Sequence, residues 1–139
     1  MNINERIHFL IPGNQEDLNG NAIPYTRTTQ GSKWSPKYQR YGAWKNYVIK
    51  HSKLKEGFDK KGKLLKPIAI PEGHKAVMNI KAFYTDHTHP DTDNVFKGIA
   101  DALFQNDKKL AGSFDFWVKP KTGGIIEVEI FLIKIEMPS

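Results

Sequence analysis

AVMNIKAFYTDHTHPDTDNVFKGIADALF, residues 76–104, contains the change of period on which the fold turns. Its first nine residues alternate. Met78, Ile80 and Ala82 share one face and Asn79 and Lys81 the other, the period-two pattern of a strand with one buried side. Residues 85–90 form a polar exit. From about residue 94 to 104 the apolar positions switch to helical spacing, which predicts a helix burying Phe96, Ile99, Ala100 and Leu103. Phe114, Phe116 and Val118 then mark another strand.

Outward from this segment, residues 6–12 (RIHFLIP) read as a short first strand ended by Pro12 and Gly13, and residues 13–24 as polar and irregular. Ser35 is a suitable N-cap and Pro36 occupies the favoured first helical position. Tyr41, Trp44 and Val48 follow at spacings of three and four, so this helix buries one face and ends between Leu54 and Gly57. The Lys- and Gly-rich residues 58–71 read as a mobile connection. Residues 120–124 read as a hairpin turn before a long final strand, residues 125–135. Ile126, Val128, Ile130 and Leu132 of that strand should meet the helices. Its other face begins with Glu127 and Glu129 but continues with Phe131, Ile133 and Ile135, a pattern that calls for a cover: a second copy of the chain, or the N-terminal strand and loop.

At 139 residues the chain suits one domain, and 39% hydrophobic with 26% charged residues is a globular balance. No stretch approaches the roughly 20 apolar residues that span a bilayer, and residues 7–11 are too short for a signal-peptide core. Cysteine is absent, which excludes disulfides, thiolate metal sites and cysteine nucleophiles and agrees with a cytoplasmic setting. The +6 net charge is unevenly spread. Residues 31–66 hold eleven Lys or Arg against two acids, a net of +9, whereas residues 91–107 hold Asp91, Asp93, Asp101 and Asp107 against Lys97 alone. A basic segment attracts polyanions by counterion release. An acidic island in a basic chain is compatible with phosphate if a divalent cation bridges the two.

Asp91 and Asp93 are two residues apart where extended chain enters the helix, so both can point to one side and share a hard cation. Lys97 lies one turn beyond Asp93, and Asp107 can return to the same place if the chain reverses after the helix. Such a group suits phosphodiester hydrolysis, with metal activating water and Lys97 offsetting developing charge. The same residues have a structural reading: Asp93 as helix cap, Asp93–Lys97 as an i,i+4 pair, and Asp91 complementing the macrodipole. Asp101 fits that reading, facing solvent or capping a neighbour. His87, His89, Asp91 and Asp93 alternate and can be read as a Zn²⁺ cluster, but four ligands on one strand rarely surround a tetrahedral ion. The chain has no Gly-rich phosphate loop and no serine in a nucleophile elbow.

Asp91-Thr92-Asp93-Asn94-Val95-Phe96-Lys97, then Asp101-Ala102-Leu103 and Asn106-Asp107, resembles the signature of the RusA family of Holliday junction resolvases, found in bacteria and prophages. Pro24-Tyr25-Thr26-Arg27 and the helix with Tyr41, Trp44 and Lys45 look like that family's N-terminal half. The resemblance covers roughly residues 7–135, with the central island its specific part. It implies Asp91, Asp93 and Asp107 as ligands of Mg²⁺, or Mn²⁺ in its place, and Lys97 as the catalytic lysine. It also implies a homodimer that cuts opposed strands of a four-way DNA junction. Two departures stand out: Asn106 replaces one acid of the family's pair, and the connection from Leu103 to Asp107 is short. Asp115 is then a substitute candidate.

These readings predict an α+β, RusA-like domain: a mixed sheet with two main helices packed on it. Arg27, Lys33, Lys37, Arg40 and Lys45 would contact branched DNA, with Trp34 and Tyr38 placed to stack on bases or to serve the core. Two other functions fit the same residues: a non-catalytic module binding branched nucleic acid, and a metal nuclease acting on flaps, forks or RNA.

Overall fold

The computed structural model describes residues 4–13, 36–85, 92–121 and 123–135. In chain order the elements are β1 (Arg6–Pro12), α1 (Pro36–Ser52), β2 (Gly57–Phe58), β3 (Leu64–Leu65), β4 (His74–Tyr84), α2 (Thr92–Leu103), β5 (Leu110–Val118) and β6 (Ile125–Lys134). Four strands form one mixed sheet in the order β1-β6-β4-β5, and β2 with β3 makes a separate small ladder. β6 is antiparallel to both neighbours, whereas β4 and β5 are parallel. The fold is α+β with two helices, as expected. A parallel pair cannot be closed by a tight turn, and α2 is the crossover between β4 and β5.

The alternation of the strands decides which face the helices cover. Ile7, Phe9 and Ile11 of β1, Met78, Ile80 and Ala82 of β4, and Ile126, Val128 and Ile130 of β6 are all buried. Tyr41, Trp44 and Val48 of α1 and Val95, Ile99 and Leu103 of α2 close over them in one cluster. Burial of each such side chain is worth about 1.5–3 kcal/mol. Phe96 departs from expectation: it is only partly buried, and Val95 takes the inward position. α2 begins at Thr92, and packing on the sheet sets its rotation.

Three further expectations are corrected. α1 stops at Ser52, before the predicted end, because Ser52 Oγ bonds the Ile49 carbonyl at 2.6 Å and receives the Leu54 N–H at 3.2 Å. Lys53 takes the left-handed conformation (φ 59°) that terminates helices. Residues 58–71 are not simply a connection, since they contain β3 and the fully buried Ile68. Ile68 donates to the Leu103 carbonyl and accepts from Gln105 N–H, both at 2.9 Å, which caps the end of α2. Residues 120–124 are not a hairpin turn, because β5 and β6 lie on opposite sides of β4. The turn passes over the end of β4, where Lys119 N–H bonds the Tyr84 carbonyl at 2.8 Å and Gly124 N–H the Phe83 carbonyl at 2.6 Å.

Two glycines are required by this topology. A Cβ at Gly112 would overlap the Met78 carbonyl of the adjacent strand, and its φ of 153° is one that side chains rarely adopt. A Cβ at Gly123 would overlap the carbonyls of Tyr84 and Lys119, where the turn crosses β4. Gly112→Ala should destabilise the fold by about 3 kcal/mol. Gly42→Ala, at a helical site with open space around it, should be neutral or slightly stabilising. Urea unfolding of the two variants beside the parent checks both.

Candidate functional site

Asp93, Lys97 and Asp101 stand at i, i+4 and i+8 on α2. Each step of four advances about 6 Å along the axis and turns about 40° beyond a full revolution, so the three form one slanted stripe. Asp93 and Lys97 are exposed, and Asp101 at the inner end is partly buried. The opposite side of the helix presents Val95, Ile99 and Leu103 to the core. Asp93 therefore faces solvent because the apolar residues of α2 hold the other side against the sheet. It also borders a cavity of about 250 Å³ with Phe96 and residues 110–114 of β5.

Asp101 is the best-held carboxylate among the described residues. Its Oδ2 accepts from the Tyr41 hydroxyl at 2.8 Å and from Lys45 Nζ at 3.2 Å, and its Oδ1 accepts from Lys66 Nζ at 2.9 Å. Three separate segments thus meet on one side chain: α1, the stretch after β3, and α2. Burial pushes the Asp101 carboxyl up. The hydrogen bonds from Lys66 and Tyr41, with the charges of Lys45 and Lys66, outweigh it and hold the pKa below 3.8. Two ammonium groups around one carboxylate leave a net positive charge at this end of the stripe.

The expected site residues are brought together only in part. Asp93 and Lys97 are neighbours on α2, whereas Asp107 is exposed beyond the other end of the helix. Asp107 lies in the turn that opens β5, where its carbonyl accepts from Leu110 N–H at 3.2 Å. Asn106 shapes that turn, its side-chain oxygen accepting from Lys108 N–H at 3.0 Å. Asp115 is in register with Lys81 on the sheet face away from the helices, so it does not join Asp93. Asp91, His87, His89, Arg27, Lys33, Trp34 and Ser35 lie outside the described residues, as do the side chains of Lys37, Tyr38 and Arg40. Lys45 does not project freely: it is held by Asp101 and lies 4.7 Å from the Tyr41 ring centre.

Among the described residues no three His, Cys, Asp or Glu side chains come together as a metal site. The donors that remain, Asp93 and Asp107, are exposed carboxylates, the ligand type taken by a hard cation that keeps several waters. Sequence reasoning missed the role of Asp101, because its partners are 60, 56 and 35 residues away. Its i+8 position relative to Asp93 was the one signal on hand. No protein-family model matches the chain, and no curated protein matches it.

Asp101→Asn should lower unfolding stability by about 1 kcal/mol at neutral pH, partial exposure of Lys66 screening the rest. The folded pKa lies below the unfolded value, so this contribution is complete above about pH 4 and is lost as pH falls through the folded pKa. Urea unfolding at pH 7 and at pH 3 should show the gap between parent and variant closing at the acid end.

Proposed function

We propose that this chain is a Mg²⁺-dependent endonuclease that resolves four-way DNA junctions, acting as a RusA-like homodimer. The observation that carries the reading is the exposed Asp93–Lys97 pair on a helix otherwise committed to the core. Exposure of a carboxylate and an ammonium one turn apart, within the Asp-x-Asp-Asn island, suits a phosphodiester with its cation. Asp93, with Asp91, would hold Mg²⁺, or Mn²⁺ in its place, whereas Asp107, beyond the other end of α2, would not reach the same ion. The bound ion would polarise the phosphoryl group and activate water.

Lys97, exposed one turn beyond Asp93, would offset charge that builds on the phosphoryl oxygens as the ester bond breaks. Asp101 positions the opposite end of the stripe by holding Lys45 and Lys66, whose excess charge favours an approaching phosphate. The basic residues Arg27, Lys33, Lys37 and Arg40 would extend this surface along the DNA backbone. Lys45 would contribute through the local field, since direct contact would require it to leave Asp101. No helix among the described residues is long and apolar enough to cross a membrane.

A second reading has its own support. Asp93 stands in the first turn of α2, where a carboxylate stabilises the helix with no metal present. On that reading the chain binds branched nucleic acid without cutting it.

An immobile four-way junction, beside linear duplex of the same sequence, separates the two. With Mg²⁺, paired nicks near the crossover are expected, absent in EDTA and in Asp93→Asn protein that still binds the junction. Lys97→Ala should slow cleavage about 10²–10³-fold with binding retained. Junction binding without cleavage by the parent protein would establish the binding module instead.

A further inference from the structure

The sheet face away from the helices carries a flat aromatic stack at one corner. Phe83 of β4 and Trp117 of β5 are in register, their ring centres 5.3 Å apart and their planes within 16°. Trp117 keeps 44% of its surface exposed although it lies within a strand. Lys119 Nζ stands 4.8 Å from the Phe83 ring centre, and Lys121 follows in the turn over β4. Among the described residues neither lysine is in an ion pair.

The acids of this face lie in neighbouring rows, two of them paired and Asp115 exposed two residues before Trp117. Lys81 lies in register between Glu127 and Asp115, Glu127 also bonds His8 at 2.9 Å, and Glu129 pairs with Arg6. The corner beyond them is cationic and apolar together. A second copy docked there about a two-fold axis would set its own Lys119 and Lys121 against these, a like-charge contact. A planar, electron-rich group with attached anions meets both features: its ring extends the stack and its anions meet the ammonium groups.

We propose that Trp117, stacked on Phe83 with Lys119 beside that ring and Lys121 two residues further along the chain, is a stacking site for an unpaired nucleobase of a nucleic-acid strand. The two lysines take the phosphates on either side of that base. The inference goes beyond the nuclease reading, because the site lies across the sheet from α2 and needs neither metal nor cleavage.

The test uses the full chain carrying Trp34→Phe, in EDTA, so that Trp117 is the exposed tryptophan and Trp44 stays buried. The probes are octathymidylate, octauridylate and, as an anion without bases, linear polyphosphate. Either oligonucleotide should quench Trp117 emission about twofold, as expected for base stacking on an indole, and their relative strength tells DNA from RNA. Polyphosphate should leave the emission unchanged. Trp117→Ala should weaken oligonucleotide binding about tenfold, while Trp117→Phe, which keeps a ring in the stack, retains most of it.

Unchanged affinity in both Trp117 variants would overturn the proposal, as would polyphosphate competing as well as the oligonucleotides. Emission that shifts with protein concentration alone would assign the patch to a second copy and overturn it equally. If Trp117→Ala does not fold, quenching in the parent and the affinity of Trp117→Phe decide. Failure here leaves junction cleavage untouched, since that is read with Mg²⁺ and depends on Asp93.

Discussion

Parallel pairing of β4 with β5 is the constraint from which the rest of the arrangement follows. Such a pair requires a crossover, and the crossover here is α2, which bears both the apolar stripe that closes the core and the exposed Asp93–Lys97 pair. The other side of β4 is taken by β6, so the chain leaving β5 must cross the end of β4 to reach its place. Gly112 and Gly123 mark where this brings one backbone against another. Their conservation of space, rather than any turn propensity, explains glycine at both positions.

Asp101 ties that sheet-and-crossover frame to the remainder. Val95 and Ile99 fix the rotation of α2, that rotation turns Asp101 toward α1, and Tyr41 and Lys45 are there to meet it. Ile68 performs the matching task from the other direction. Its burial and its two backbone bonds to the end of α2 anchor the segment that delivers Lys66. One carboxylate serving two lysines is stable because each of its oxygens accepts from at least one donor. The excess positive charge, from Lys45 of α1 and Lys66 after β3, gathers at Asp101 on the same helix as the exposed Asp93, so cation-seeking and phosphate-seeking groups line one stripe.

The two faces of the sheet divide the chemistry. The helix-covered face is apolar throughout, while the open face has a charged middle formed by His8, Glu127, Glu129 and Lys81. Its ends are apolar or aromatic, with Arg6 lying over Phe131 at one and Phe83 stacked on Trp117 at the other. Ile133 and Ile135, which in the sequence called for a cover, remain exposed.

Much of the secondary structure was legible because it rests on local periodicity. β1 and the two main helices were readable from spacing, as were the buried residues Tyr41, Trp44, Val48, Ile99 and Leu103. The Asp93–Lys97 pair was equally legible, being a matter of four residues on one helix. Strand order was not: residues 120–124 have the composition of a hairpin turn, and only pairing across β4 shows that they bridge two separated strands. The inward rotation of Val95, the docking of Ile68 and the three partners of Asp101 were hidden for the same reason. Periodicity reports which side of an element is apolar, because that depends on neighbours within a turn or two. Which distant element covers that side, and which lone carboxylate it meets, depends on contacts dozens of residues apart, and only the folded chain brings those together.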